Sequence, residues 1–222
     1  MSMRMDQESP LYYFNRYGII FYRDSQKILS SEELSTLNDK VYGFSSEGFY
    51  QLEKIFITKD IREVEWNGLG RYNFKRFEVD SENKVFQEIN GILYSKKGYD
   101  RHGNTHRKKM IELVACPTNV INHNVHPETI RIANCAFKGT KITNLSLPNT
   151  LEEIGTNAFY FADELKYVEI PINISRIESQ LTRKQLLIGF DNHQFESWDK
   201  LFDYMIENGY EKKDNKIIKK KR

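Results

Sequence analysis

The sequence predicts an α/β, mainly β fold: a right-handed solenoid with short parallel strands, an inserted hairpin and a C-terminal capping helix. Three observations predict it. An apolar template recurs at a fixed interval, a small-plus-aromatic pair recurs at one place within it, and an amphipathic stripe follows the last copy. Fixed-period self-similarity marks a stacked array. One short unit cannot bury its apolar face alone, and its neighbours complete the core.

The template has five positions. Leu52, Ile55, Ile57, Ile61 and Val64 are spaced +3, +2, +4, +3, as are Ile142, Leu145, Leu147, Leu151 and Ile154, and again Leu165, Val168, Ile170, Ile174 and Ile177. Phe74, Phe77 and Val79 match the first three positions. Val120, His123, Val125, Thr129 and Ile132 keep the spacing with two polar members. The starts at 52, 74, 120, 142 and 165 are separated by 22, 46, 22 and 23 residues, so one copy near residue 97 is degenerate or carries an insertion. The +3 and +5 positions alternate, which places them on one side of a strand. Pro148 and Pro171 end two of these strands, limiting each to roughly 3–5 residues. The +9 and +12 positions require a second inward turn on the return path. Ala136-Phe137 and Ala158-Phe159 follow Ile132 and Ile154 by four and five residues, and plug the interior at the corner.

These features divide the chain into residues 1–44 as an N-terminal cap, 45–190 as the solenoid with a hairpin insert at about 84–116, 191–210 as a C-terminal capping helix, and 211–222 as a basic tail. In the first segment, Tyr12, Tyr13, Phe14, Tyr17, Ile19, Ile20, Phe21 and Tyr22 are dense enough to form one or two strands, and Ser31-Glu32-Glu33-Leu34 reads as a helix start. That aromatic cluster serves as core or as a sugar platform. Asn90-Gly91 between apolar residues is a hairpin signal. Phe195, Trp198, Leu201, Phe202, Met205 and Ile206 form the stripe of the helix, and Gly209 stops it. This helix caps the coil ending at Ile177 or docks a partner. The run Lys216–Arg222 is a solvated tail, a contact for nucleic acid or anionic lipid, or a nuclear signal.

The strings IANCAFKGTKITNLSLPNTLEEIGTNAF and YFADELKYVEIPINISRI resemble the BspA-type leucine-rich repeat, which reads I-x-x-x-A-F-x-x-(C/T)-x-x-L-x-x-V-x-I-P-x-x-(L/I)-x-x-I. Phe77–Pro117 resembles the hairpin-bearing repeat of that family. The resemblance covers about residues 45–180 and departs at His123, Thr129 and the polar insert Gly98–Lys109. It implies a leucine-rich-repeat solenoid with protein–protein or cell-surface adhesion roles, in proteins that are often surface-exposed or secreted.

Composition narrows the function. The chain is 39% hydrophobic, 13% aromatic and 29% charged, which excludes a disordered chain and a membrane bundle. Lys plus Arg is 33 against 31 Asp plus Glu, so the net charge of +2 excludes a bulk polyanion binder. No apolar run has the length of a signal peptide core or a membrane span, so the sequence as written predicts a cytoplasmic protein without membrane insertion. Cys116 and Cys135 read as core rather than as a disulfide framework.

No nucleophile elbow, zincin motif, P-loop or dinucleotide fingerprint is present, so no enzyme, cofactor or metal is expected. His102 and His106 lack a third ligand and a helix to present them. Cys116 sits at a strand end, and His123 falls on an inward position as a satisfied core histidine. Function is therefore expected from the face of the stacked strands. Residues between the inward positions form rows spaced by about 4.8 Å. One row is Phe56, Glu78, Asn124, Ser146 and Glu169; the other is Lys54, Arg76, Asn122, Asn144 and Tyr167. The mixed charge and two aromatics suit a protein partner or a glycan; the bland reading is a solvated sheet. The alternative is nucleic acid, bound through the basic tail and Arg107, Lys108 and Lys109.

Overall fold

A computed structural model describes residues 12–14, 19–22, 43–45, 54–57, 59, 61–66, 75–106, 111–178, 181–182 and 186–220. In chain order the strands are β1 (Tyr12–Phe14), β2 (Ile19–Tyr22), β3 (Gly43–Ser45), β4 (Lys54–Ile57), β5 (Glu63–Glu65), β6 (Arg76–Val79), β7 (Phe86–Ile89), β8 (Ile92–Ser95) and β9 (Ile111–Ala115). They continue with β10 (Thr129–Ile132), β11 (Asn144–Ser146), β12 (Glu153–Ile154), β13 (Tyr167–Glu169), β14 (Arg176–Glu178), β15 (Leu187–Phe190) and β16 (His193–Phe195). Helix α1 (Trp198–Glu207), β17 (Tyr210–Lys213) and β18 (Lys216–Lys219) complete the chain. The helix start read at Ser31 and the template members Leu52 and Phe74 lie outside the described residues.

The apolar template folds into coils that carry two strands each. The +3 position lies on β11, β13 and their neighbour β15, where Leu145, Val168 and Ile188 align in parallel register. The +12 position lies on β10, β12 and β14, where Ile132, Ile154 and Ile177 align in the same way. The return path is thus a second sheet rather than a bare turn, since each segment stacks on its copy one period away. The corners stack too: Phe137 N donates to Ala158 O at 2.8 Å and Gly139 N to Tyr160 O at 2.9 Å. All the inward positions of the two best copies are buried, from Ile142 to Ile154 and from Leu165 to Ile177.

The insertion explains the doubled interval. Asn90 and Gly91 have φ of 55° and 79°, the left-handed pair that a tight hairpin turn requires. Gly91 is necessary here for a second reason: a Cβ on it would come within 2.9 Å of the Arg76 Cβ. The hairpin β7–β8 pairs antiparallel onto β9, and β9 pairs parallel to β10, which joins the insert to the coil array. The resulting eight-stranded sheet runs β17-β18-β14-β12-β10-β9-β8-β7. Beyond the hairpin, β4 and β6 pair in parallel, Ile55 with Phe77 and Ile57 with Val79. A further sheet, β1-β2-β3-β5, lies toward the N-terminus.

Two expectations at the C-terminus are corrected. The helix covers ten residues, not 191–210. Asp191 and Asn192 have φ of 51° and 61°, so they turn the chain from β15 back into β16, and Phe195 belongs to that strand. The helix starts only where the Ser197 side chain accepts from Lys200 N. The expected tail is likewise folded over Tyr210–Lys219. There β17 and β18 form a hairpin, and β18 pairs antiparallel with β14, Ile217 opposite Ile177. Ile217 is fully buried and the Tyr210 hydroxyl donates to Ile174 O at 2.8 Å, anchors that outweigh the surrounding lysines.

The capping role of α1 has a specific form. Phe137 and Phe159 stack at 5.7 Å, and Trp198 stacks on Phe159 at 6.0 Å with an 8° interplanar angle. Trp198 therefore takes the place that the corner phenylalanine of a further coil would fill. Leu201, Phe202 and Met205 bury the rest of that face.

Candidate functional site

The expected rows are divided by the insert. Lys54 pairs with Arg76 and Phe56 with Glu78 on β4 and β6, a two-stranded sheet separate from β11-β13-β15-β16. The side chains of Lys54 and Phe56 lie outside the described residues. Arg76 forms an ion pair with Glu78 on the same strand. The rows do not continue from β6 to β11, because the hairpin tip occupies the flank of β6: Phe77 N donates to Gly91 O at 2.8 Å. The coil at Asn122–Asn124 also forms no strand.

The other six candidates do come together. Asn122 and Asn124 stand beside β11 and β13, where they line one open groove of about 380 Å³ with Asn144, Ser146, Tyr167 and Glu169. Strand register sets this wall, with Asn144 beside Tyr167 and Ser146 beside Glu169. Alternation turns Leu145 and Val168 inward and leaves these four outward. The side chains of Asn122, Asn124 and Ser146 make no hydrogen bond among the described residues, and the Asn144 amide reaches only Thr143 Oγ1 at 3.2 Å. The Tyr167 hydroxyl donates to Glu169 Oε2, and that bond pushes the phenol up to about 12. Gly189 makes the pairing possible, since a Cβ there would overlap both the Tyr167 hydroxyl and the Glu169 carboxylate.

His123 forms part of the same groove and is only half-buried. Its Nε2 lies 2.7 Å from the hydroxyl of Tyr94, which accepts from His126 N at 3.3 Å. Burial depresses the imidazole to about 4, so the ring is neutral at pH 7.

Two features escaped the sequence reading. Leu187 extends the row of Asn144 and Tyr167 by one coil and is 45% exposed. Its signal was the alternation of Leu186, Leu187 and Ile188 after a shortened period. The second feature is a ladder of alternating charge on the eight-stranded sheet. Arg131 Nε lies 3.5 Å from Glu112 and 3.6 Å from Glu153. Arg176 reaches Glu153 at 3.8 Å and Glu178 at 2.7 Å, and Lys216 reaches Glu178 at 4.0 Å. Arg131, Glu153 and Arg176 each precede a +12 isoleucine, so the ladder was written in the repeat at position +11. These charges pair with one another as ions, while Arg131 Nε and Arg176 Nε are buried without a hydrogen-bond partner among the described residues.

The remaining candidates have structural partners. Asp100 organises the polar insert by accepting from His102 N, Asn104 N and His106 Nε2 at 2.9–3.0 Å. His102 Nδ1 lies 2.9 Å from Glu63, and Val64 N donates to Arg101 O, so the insert docks on β5. Cys116 and Cys135 are buried, and burial pushes both thiols up. Lys219 lies over the Tyr210 ring at 5.6 Å. Arg107, Lys108, Lys109, Lys221 and Arg222 lie outside the described residues. Among the described residues, no helix is long and apolar enough to cross a membrane.

Parallel strands repeated at one period, corners filled by stacked aromatics and a polar groove on one sheet define a leucine-rich-repeat solenoid. Residues 115–205 match the BspA type leucine-rich repeat region in six copies. No curated protein matches it. Among solved structures it is similar to the pneumococcal vaccine antigen PcpA, with 24% identity and a TM-score of 0.47 over 61% of this chain and 32% of that one. A leucine-rich cell surface protein from Faecalibacterium prausnitzii A2-165 shares 16% identity, with a TM-score of 0.46 over 63% of this chain and 41% of the other. A leucine-rich repeat protein from Eubacterium ventriosum ATCC 27560 also shares 16% identity, with a TM-score of 0.37 over 64% and 52%. The chain thus spans about a third to a half of these proteins.

Proposed function

We propose that this chain is a non-enzymatic interaction module that binds a macromolecular partner, a protein or a glycan, through its strand face. The observation that carries this reading is the contrast between its two sheets. On the eight-stranded sheet Glu112, Arg131, Glu153, Arg176 and Glu178 pair with each other as ions, whereas Asn122, Asn124 and Ser146 gather around one groove with their hydrogen-bonding capacity free. A surface with free, clustered polar groups beside a tyrosine is equipped for contact. The buried thiols, and histidines held in structural hydrogen bonds, support a binding role over a catalytic one. A basic-tail reading draws less support, because Lys216 and Lys219 sit in a strand and are engaged by Glu178 and Tyr210.

The test is a triple substitution, Asn124→Ala with Ser146→Ala and Tyr167→Ala. Recovery of the partner bound by the unaltered protein should fall at least about tenfold. The thermal midpoint should change little, because Asn124 and Ser146 are exposed and Tyr167, half-buried, points outward from β13. Undiminished recovery contradicts the strand-face reading.

A further inference from the structure

We propose that the groove between Asn122–Asn124 and β11–β13 binds a neutral glycan; this rests on the strand-face reading and names its ligand class. Three Asn amides and a Ser hydroxyl border the groove. Each amide offers donors and an acceptor side by side, and a hydroxyl is both at once. A sugar ring presents the same mixed pattern around its edge, so each of its hydroxyls finds a complementary group. The Tyr167 ring, with Leu187 exposed next to it in the row, supplies a surface for the C–H face of a sugar.

Charge and apolarity argue against the other classes. Among the described residues, no Lys or Arg lines the groove, and the one carboxylate there, Glu169, is bonded by Tyr167. Phosphate or sulfate would meet no cation there and would be repelled by Glu169. A protein partner needs an anchor pocket in which an aromatic or aliphatic side chain loses its water. Leu145, the one aliphatic side chain among the described residues that line the groove, is buried beneath it, and Leu187 stands on the next strand as a single exposed side chain rather than a pocket. The pairs Asn144/Ser146 and Tyr167/Glu169 follow one another on neighbouring strands at about 4.8 Å, with Asn122 and Asn124 beside them, so a short chain of sugars laid across the groove meets polar groups from three coils.

The experiment is an NMR titration of the full chain, observing the side-chain amides of Asn122, Asn124 and Asn144. The neutral probes are cellohexaose, maltohexaose, mannohexaose and hexa-N-acetylchitohexaose, and a heparin-derived hexasaccharide is the anionic one. At least one neutral probe should shift all three amides with a Kd of about 1 mM or tighter. Asn124→Ala with Asn144→Ala should weaken that binding about tenfold or more. The heparin fragment should leave the amides unmoved. The proposal is overturned if none of the four neutral sugars shifts them at about 10 mM, or if the heparin fragment binds there instead. If the sugars fail while the triple variant still loses a protein partner, the strand face stands and the glycan falls. If a sugar binds but shifts only residues outside the groove, the glycan proposal falls, and the triple variant alone decides the strand face.

Discussion

Replacing Phe159 with Ala should lower the unfolding free energy by about 3–5 kcal/mol. The ring is fully buried and stacks between Phe137 and Trp198, so its removal opens a void in the middle of a three-member column. Neither neighbour can collapse into the void, because Phe137 is fixed by its own corner and Trp198 by α1. The loss therefore includes a cavity penalty as well as the transfer of one ring. Phe161, two residues on, is the internal control. It is 44% exposed and holds a left-handed φ of 55°, at a position where the preceding coil has Gly139 with φ 71°. Phe161→Gly relieves that backbone conformation and should change stability by less than about 1 kcal/mol. Urea denaturation of both variants checks the pair, and similar losses at the two sites would contradict the column.

The second large effect concerns Glu112, whose carboxylate on β9 is 0% exposed. It accepts from Arg101 N at 2.8 Å and from the Arg101 guanidinium at 3.2 Å, with Arg131 at 3.5 Å on the other side. Replacing both arginines with Ala strands a buried charge and should cost about 3–5 kcal/mol. Adding Glu112→Leu to that double variant should restore much of the loss, because the stranded charge, rather than the missing attraction, is the expensive part. By comparison, Lys200→Ala breaks a pair with Glu196 whose members are 64% and 76% exposed, and should cost no more than about 0.5 kcal/mol. Chemical denaturation decides it: a triple variant no more stable than the double one would show that Glu112 is not held as described.

The core was legible residue by residue, because burial imposes a strict period. Every member of the copies starting at Ile142 and Leu165 is buried as the spacing requires, and the Asn90-Gly91 turn lies where the dipeptide puts it. The ends were less legible because two periodicities compete there. Phe195 lies three residues before Trp198, a helical interval, yet the left-handed Asp191-Asn192 turn commits it to a strand. Lys216–Lys219 reads as a charge run, and only a neighbouring strand with an apolar slot opposite Ile217 reveals it as part of a sheet. The groove was half legible. The spacing of Asn144, Ser146, Tyr167 and Glu169 follows from the template. The exclusion of Arg76 and Glu78 follows from where the inserted hairpin packs, which no spacing within the repeat encodes.

The stacking of coils in register is tested most directly by nuclear Overhauser contacts between strands one period apart. Parallel neighbours lie about 4.8 Å from each other, within reach of the measurement. The structure requires contacts linking Leu145 to Val168 and Val168 to Ile188 on one sheet, and Ile132 to Ile154 and Ile154 to Ile177 on the other. Contacts that instead join these residues in antiparallel order, or that fail to connect these positions 20 to 23 residues apart, would contradict the solenoid and the groove built on it.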